Sequence, residues 1–232
     1  KEIGISVGRT GTLNPVAILE PVQIGGVTIE RAALHNEDDI RRKDIREGDW
    51  VYIQRAGDVI PDVVGPILSK RTGQEKEFSL LDKIYSQEKG RPACPVCGGE
   101  VVKPEGEVMY YCSNAACPAQ VQARIEFFVS RGAMDIRGIG EKFIALLLKE
   151  GLVKDAADLF TLNEKRDQIV QLEKKGEKSA DNILKAIEKS KTANLPRLLN
   201  ALGIRHVGEE TANLLAERFK DLDDLGNASR EK

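Results

Sequence analysis

The chain has 232 residues, with 35 Lys and Arg against 37 Asp and Glu, a net charge of −2 and 5% aromatic residues. That length exceeds one typical domain, and the few aromatics fit several small modules better than one large core. The charge balance excludes a protein that holds nucleic acid through a bulk positive field, and no apolar run is long enough for a membrane helix. The average hides no basic region. Residues 1–69 carry 8 basic and 11 acidic residues, residues 70–119 carry 7 and 7, and residues 120–232 carry 20 and 19. Any DNA binding must therefore come from individually placed arginines and backbone amides. Lys1-Glu2-Ile3-Gly4-Ile5 has no signal-peptide pattern and starts inside an apparent strand, as the middle of a longer chain would.

Taken in order, the first segment, residues 1–69, reads as a small all-β barrel. Val22–Ile24 and Val27–Ile29 flank Gly25-Gly26, a pair able to take positive φ in a tight hairpin. Asp49–Ala56 is a second β-rich run, turned at Gly57-Asp58 and continued by Val59–Val64, with Pro61 marking an edge or a bulge. Strands this short in about 70 residues predict an OB-like barrel, with an SH3-like barrel of the same size as the competing fold. Arg9 and Thr10 lie in the turn-rich run Val7–Thr12, and Arg55 precedes Ala56-Gly57-Asp58. On an OB barrel such loop residues face nucleic acid; sequence alone favours solvated surface arginines. Residues 70–93 are polar and read as a connector, or as one long barrel loop. A connector of that kind predicts that the barrel moves relative to the segments beyond residue 93.

Residues 94–119 hold all four cysteines. Cys94, Cys97, Cys112 and Cys117 are spaced C-x2-C-x14-C-x4-C. Two close pairs separated by a hairpin-length insert can set four thiolates tetrahedrally around zinc. Two disulfides are the alternative, disfavoured by this spacing and by the absence of any secretion signal. Four protein thiolates leave no open position, so such a zinc is structural and staples a segment too small to fold alone. Gly98 is placed to let the backbone aim amides at sulfur, and Val101–Val108 reads as strand, turn, strand.

From residue 120 the apolar period becomes helical, over 120–130, 141–150, 177–191 and 209–219. This all-α segment, 120–232, repeats. Ile136–Gly140, Leu172–Gly176 and Gly203–Gly208 are glycine-bearing turns whose last glycines stand 36 and 32 residues apart, each followed by Glu and a helix. That is the pattern of stacked helix–hairpin–helix units. Gly138, Gly140, Gly176 and Gly208 would present free N–H groups at helix N-termini, a phosphate site that needs no lysine cluster. Contacts of that kind read the DNA backbone and not its bases. The competing role for these glycines is helix capping alone. His35 and His206 are too far apart in sequence to suggest a triad, and no Lys-x-Asp-Gly or phosphate-binding P-loop occurs.

These residues resemble one family over almost the whole chain, with no signal only in the connector. Val7-Gly8-Arg9-Thr10-Gly11, Pro15-Val16-Ala17, Glu20-Pro21-Val22, Arg31-Ala32-Ala33-Leu34-His35-Asn36, Arg46-Glu47-Gly48-Asp49 and Arg55–Pro61 are similar to the OB domain of bacterial NAD-dependent DNA ligases. The four-cysteine segment resembles that family's zinc module. Phe128–Arg131, Ala133–Ile136, Gly138–Lys142, Ala157–Phe160, Gly176–Ala180 and Leu202–Gly208 resemble its helix–hairpin–helix domain. The resemblance implies a cytoplasmic, nucleoid-associated enzyme of replication and repair. It uses NAD and magnesium to adenylate a lysine, passes AMP to the 5′ phosphate of a nick, and seals it. It implies that Arg9, Thr10 and Arg55 touch nicked duplex DNA, that Val59 and Ile60 lie in its minor groove, and that the hairpins hold phosphates. It also implies a partner in the adenylation domain of the same parent chain. That domain, a fourth hairpin and a terminal BRCT module are missing, so this chain alone is expected not to adenylate or seal. In the second hairpin Lys174-Lys175 replaces the usual glycine-apolar pair. A stand-alone zinc and hairpin DNA-binding module of a repair factor, and a zinc scaffold that binds protein, are the other readings.

Overall fold

A computed structural model describes residues 1–55, 61–173 and 176–229. The chain divides into two units, Lys1–Gln120 and Val121–Lys232.

The first unit opens with strands β1 (Glu2–Val7), β2 (Leu13–Ile24) and β3 (Val27–Ala33), helix α1 (Glu37–Arg42), and strands β4 (Val51–Gln54) and β5 (Asp62–Pro66). The sheet order is β1-β2-β3-β5-β4. Among the described residues, only β3 and β5 run parallel, through Ala33 and Asp62. This order, with a helix between β3 and β4, is that of an OB barrel, and it decides against the SH3-like alternative. Gly25 and Gly26 take φ of 56° and 79° and close the β2–β3 hairpin as the sequence predicts. The period-2 pattern sends Leu13, Pro15 and Ala17 inward. Ile3, Ala17, Ala32, Leu34, Ile40, Ile45 and Val63 form the barrel core. Asn36 caps α1, its side chain accepting from the Asp39 N–H at 2.8 Å.

Residues 70–93 depart from the reading as a polar connector. They carry a 3-10 turn ending at Lys70, helix α2 (Leu80–Lys83) and the two-residue strands β6 (Tyr85–Ser86) and β7 (Arg91–Pro92). Arg71 makes a bidentate pair with Asp49 at 2.8 Å on each arm and reaches Asp44 at 2.6 Å. The Asp49 carboxylate is 1% exposed, so the guanidinium is its counter-charge. Those carboxylates, Asp49 first, hold Arg71 above its ordinary pKa. Lys76 exchanges backbone hydrogen bonds with Glu47 at 2.9 and 3.0 Å. Leu80 and Ile84 are buried in one cluster with Val7, Leu13, Cys94, Cys112 and Cys117. The polarity that suggests a linker belongs to side chains that pair with the barrel, and the buried Leu80 and Ile84 pin the segment down. A freely moving link between barrel and zinc segment finds no support in this packing.

Glu47 ties three pieces together. It accepts from the Ile3 N–H at 2.8 Å and from the Lys83 ammonium at 3.0 Å, and Lys83 also reaches Glu2 at 2.9 Å. Burial pushes the Glu47 carboxyl up, but these donors more than offset it and hold its pKa below the ordinary 4.5. A carboxyl depressed in the folded state contributes stability above its unfolded pKa and loses it as pH falls through the folded value. Glu47→Gln should therefore cost stability near neutral pH. The gap between native and variant melting temperatures should close as pH falls below about 4.5. A gap constant from pH 7 to pH 3 would show that the carboxylate charge contributes nothing.

The chain continues with strands β8 (Val101–Val102) and β9 (Tyr111–Cys112) and helix α3 (Pro118–Val129). The strand–turn–strand reading of the insert holds, but the second strand lies at 111–112, beyond Val108. The second unit adds α4 (Glu141–Lys149), a 3-10 stretch (Ala157–Lys165), α5 (Arg166–Glu173), α6 (Glu177–Ser190), α7 (Leu195–Ala201), α8 (Glu209–Arg218) and α9 (Leu222–Gly226). Its core includes Ile125 and Phe128, Phe143, Ile144 and Leu147, and Ile183 and Ile187, which sit at three- and four-residue spacing along the predicted helices. With them are Ile136 of the first turn and Leu159 and Leu162 of the 3-10 stretch, which the periodicity does not single out. Among the described residues no helix is long and apolar enough to cross a membrane.

Candidate metal centre and nucleic-acid interface

The four cysteines are free thiols whose sulfurs all lie within 4.8 Å of one another. Cys94 and Cys117 Sγ are 3.9 Å apart, and Cys97 and Cys112 Sγ 3.6 Å. A zinc–sulfur distance of about 2.3 Å gives a tetrahedral edge of about 3.8 Å, so the donor set fits zinc and not two disulfides. Gly98 takes φ +64°, which folds the first pair back so that the Gly99 N–H donates to Cys97 Sγ at 3.4 Å. A Cβ at Gly99 would stand 3.1 Å from that sulfur and 3.1 Å from Asn114 Cβ, a tight fit beside the thiolate. The second pair is held by Gln120, whose amide donates to the carbonyls of Cys112 and Asn114 at 3.0 Å each. Burial raises the Cys97 thiol, but the Gly99 N–H and the Asn114 side chain hold it down, to about 6. Burial pushes Cys112 up to about 12 and Cys117 upward as well. Such crowded, buried thiols ionise together only around a cation. Zinc is the structural cofactor this set holds, with all four positions filled by protein.

The zinc segment is fused to the barrel through backbone. Cys112 N–H donates to the Gly11 carbonyl and Leu13 N–H to the Tyr110 carbonyl, each at 2.8 Å. Thr12 and Tyr111 form an isolated bridge, so β9 continues the start of β2. Gly11 lies in the β1–β2 loop with φ +86°. The same loop, Gly8–Thr12, carries Arg9 and Thr10. Thr10 Oγ1 lies 3.0 Å from Thr12 Oγ1. Arg55 follows directly on β4, at the mouth of the β4–β5 loop. Val59 and Ile60 lie outside the described residues.

Beside these loops, Ser6, Asn14, Arg31, Ala33 and His35 line a concavity of about 460 Å³ on the β2–β3 side of the barrel. His35 has φ +57°, an uncommon conformation for a residue with a Cβ, and its Nε2 lies 3.1 Å from Asp62 Oδ1. Sequence alone gives no reason to group Arg31 and His35 with Ser6 and Asn14; the β2–β3 pairing does so.

In the second unit, the helices that follow the three glycine turns have no side-chain cap. Gly140, Gly176 and Gly208 stand at the N-caps of α4, α6 and α8 with no capping side chain. Elsewhere Asn36, Ser79, Asn194 and Asp221 accept from the first turns of α1, α2, α7 and α9. The hairpin helices thus keep their first N–H groups clear of side-chain oxygens, as an anion site requires. Gly138 has φ +92°, and a Cβ there would meet Ile183 at 3.0 Å. The first hairpin therefore needs glycine both for its backbone and for its seat on α6. Gly138→Ala should lower stability by about 2 kcal/mol, read as a shift of the denaturant midpoint. Gly140→Ala, with extended backbone and open space at its Cβ, should cost less than half as much. Equal losses would show that neither the positive φ nor the contact with Ile183 requires glycine at this position.

The first and third hairpins match residue by residue. Asp135-Ile-Arg-Gly-Ile-Gly-Glu141 corresponds to Gly203-Ile-Arg-His-Val-Gly-Glu209. Positive φ recurs at the same places, at Asp135 (51°) and Gly138 (92°) in one and at Gly203 (63°) and His206 (67°) in the other. The second hairpin differs. Its cap Gly176 has φ +74°, where Gly140 and Gly208 are extended at −107° and −95°, and Glu173 occupies the position of Arg137 and Arg205. Lys174 and Lys175 lie outside the described residues.

Comparison with known proteins agrees with this division. Residues 1–75 match the NAD-dependent DNA ligase OB-fold domain and residues 93–119 the NAD-dependent DNA ligase C4 zinc finger domain. Residues 131–189 match a SAM-like helix-hairpin-helix tandem and residues 197–232 a helix-hairpin-helix motif. A DNA ligase of Dehalococcoides mccartyi is 57% identical over all of this chain, which covers 34% of that protein. DNA ligases of Bacillus licheniformis and Acetivibrio thermocellus are 49% and 47% identical, again over all of the chain and 33% of their own length. The chain thus spans about a third of the length of the curated relatives it matches. With barrel, zinc site and hairpins in the same order and all of the chain aligned, it belongs to the NAD-dependent DNA ligase family, as a part that carries the OB-fold, zinc-finger and helix-hairpin-helix domains.

Proposed function

We propose that this chain is the DNA-gripping portion of an NAD-dependent DNA ligase and holds nicked duplex DNA while a separate adenylation domain of the parent protein, using NAD and magnesium, supplies the AMP. The observation that carries the reading is the glycine-capped, side-chain-free start of α4 and α8, repeated with the same backbone signature in a chain of net charge −2. Phosphates held by amides and helix dipoles need no basic field. On the barrel, Arg9 and Thr10 in the β1–β2 loop and Arg55 at the β4–β5 loop sit where OB folds meet nucleic acid, and Arg31 and His35 extend that surface along β2–β3. Val59 and Ile60, which lie between Arg55 and β5 in sequence, are proposed to enter the minor groove. Gly138, Gly140 and Gly208 hold backbone phosphates, and Gly176 contributes less because its hairpin departs from the other two. The zinc has no chemical role in sealing; it holds the β1–β2 loop to the rest of the unit. Alone, the chain forms no lysyl-AMP and seals nothing. It works in the compartment where the chromosome is replicated and repaired.

Hydroxyl-radical footprinting of nicked duplexes tests this. Protection of backbone sugars on both sides of the nick, the same for unrelated sequences, is expected. Protection that follows base sequence and ignores the nick would favour a different DNA-binding role. No protection, together with capture of a protein, would favour a zinc scaffold.

A further inference from the structure

We infer that Arg197, with Asn200, is a positioning residue that straps the first hairpin to the third, so that the two matched turns meet DNA as one rigid pair. The inference rests on the DNA-gripping reading above. Arg197 lies on α7, the helix that opens the third hairpin. Its Nη2 donates to the Arg131 carbonyl at 2.6 Å and its Nε to the Ala133 carbonyl. One helical turn on, the Asn200 amide donates to the Gly132 carbonyl at 3.0 Å. Three successive carbonyls just beyond the C-terminus of α3 are thus taken by two side chains of α7, some 64 to 68 residues away. Carbonyls in that position lack helical partners and carry partial negative charge, so a guanidinium is the fitting donor.

The strap sits directly beside the first turn. Asp135, with its positive φ, comes two residues after Ala133 and pairs with Arg137 at 3.3 Å. At its other end α7 runs through Leu202 into Gly203, the equivalent positive-φ residue of the third turn. Arg197 is itself anchored, its N–H donating to the Asn194 cap at 3.2 Å. One seven-residue helix therefore grips the segment that leads into the first turn and itself leads into the third. The second hairpin, which lacks the arginine and the cap geometry, lies outside this arrangement. Two weak phosphate contacts held at fixed spacing bind far more tightly than two that move independently, because the second contact becomes intramolecular.

The test is a double-mutant cycle on the full, zinc-loaded chain, using fluorescence anisotropy with a labelled nicked duplex. Arg137 and Arg205 hold the same place in the two turns, next to the amides proposed to meet phosphate, and a glutamate there repels it. In the native background Arg137→Glu and Arg205→Glu should each lose most of the affinity that the double variant loses, because breaking either contact abolishes the joint one. In an Arg197→Gln background, checked by thermal melting to be folded at the assay temperature, affinity should already be at least tenfold weaker and the two losses should become additive. Unchanged coupling in that background overturns the strap. If neither glutamate variant weakens binding even in the native background, the hairpin reading of DNA binding falls instead. Should Arg197→Gln fail to fold, Asn200→Ala removes the milder half of the strap and should reduce both affinity and coupling by a few-fold; full coupling there would overturn the proposal.

Discussion

Cys117→Ser should release the zinc and unfold the segment that surrounds it, leaving the barrel core of Ile3, Leu34, Ile40 and Val63 folded. Cys117 is fully buried in a cluster that also holds Val7, Leu13, Leu80 and Ile84. Strands β6 to β9 have two residues each and no core of their own size. A structural zinc supplies about 10 to 16 kcal/mol in small domains, more than such a segment can replace. The expected readout is zinc content falling from one per chain to none. Amide exchange should become fast through residues 80–120 and stay slow in β1 to β3. A chelator should do the same to the native chain, and more readily at acid pH, where protons compete for the thiolates. Retained zinc, or retained protection after its loss, would show that packing alone holds the segment.

The next largest effect is expected at Gly11. An added Cβ would lie 2.5 Å from the Cys112 carbonyl oxygen and 3.0 Å from the Gln120 amide, at φ +86°. Neither obstacle is a flexible chain end: one is backbone and the other is engaged in holding the second cysteine pair. The left-handed conformation alone costs a residue with a Cβ about 1 to 3 kcal/mol, and the contact forces apart the hydrogen bond from Cys112 N–H to the Gly11 carbonyl. Gly11→Ala should therefore destabilise the first unit by about 3 kcal/mol or more. Gly106→Ala is the control, with φ +78° and nothing within 4 Å. It carries the same conformational strain without the clash. If the two variants melt together, the join between the barrel loop and the zinc segment contributes nothing to stability. Because Arg9 and Thr10 share the Gly11 loop, the first variant should also weaken DNA binding while the control does not.

The parts of this molecule that the sequence shows are those set by local chemistry. Cysteine spacing gives the zinc site, Gly25-Gly26 gives its hairpin, and helical periodicity gives α3, α4, α6 and α8. Each depends on neighbours within a few residues. The glycine turns are legible as well, although sequence alone leaves open whether they cap or bind. Contacts between distant segments are not legible. The segment 70–93 looks like a linker because its charged side chains cannot show that Arg71 is matched to Asp49 and Asp44. Arg197 is silent because its acceptors are backbone carbonyls, which every residue has. The join at Gly11 is hidden for the same reason. Arg31 and His35 come together with Ser6 and Asn14 only through strand pairing.

A chain with no excess of positive charge is expected to grip duplex DNA through placed arginines and hairpin amides. A titration of the isolated chain against nicked and intact duplex at two salt concentrations tests it most directly. If Arg9 and Arg55 on the barrel and the equivalent Arg137 and Arg205 of the two matched turns each meet one phosphate, the slope of log affinity against log salt is about −3 to −4. The slope should be the same for unrelated sequences, with nicked duplex bound at least as well as intact. No binding at low salt by the folded, zinc-loaded chain would contradict the account, as would binding that varies with base sequence.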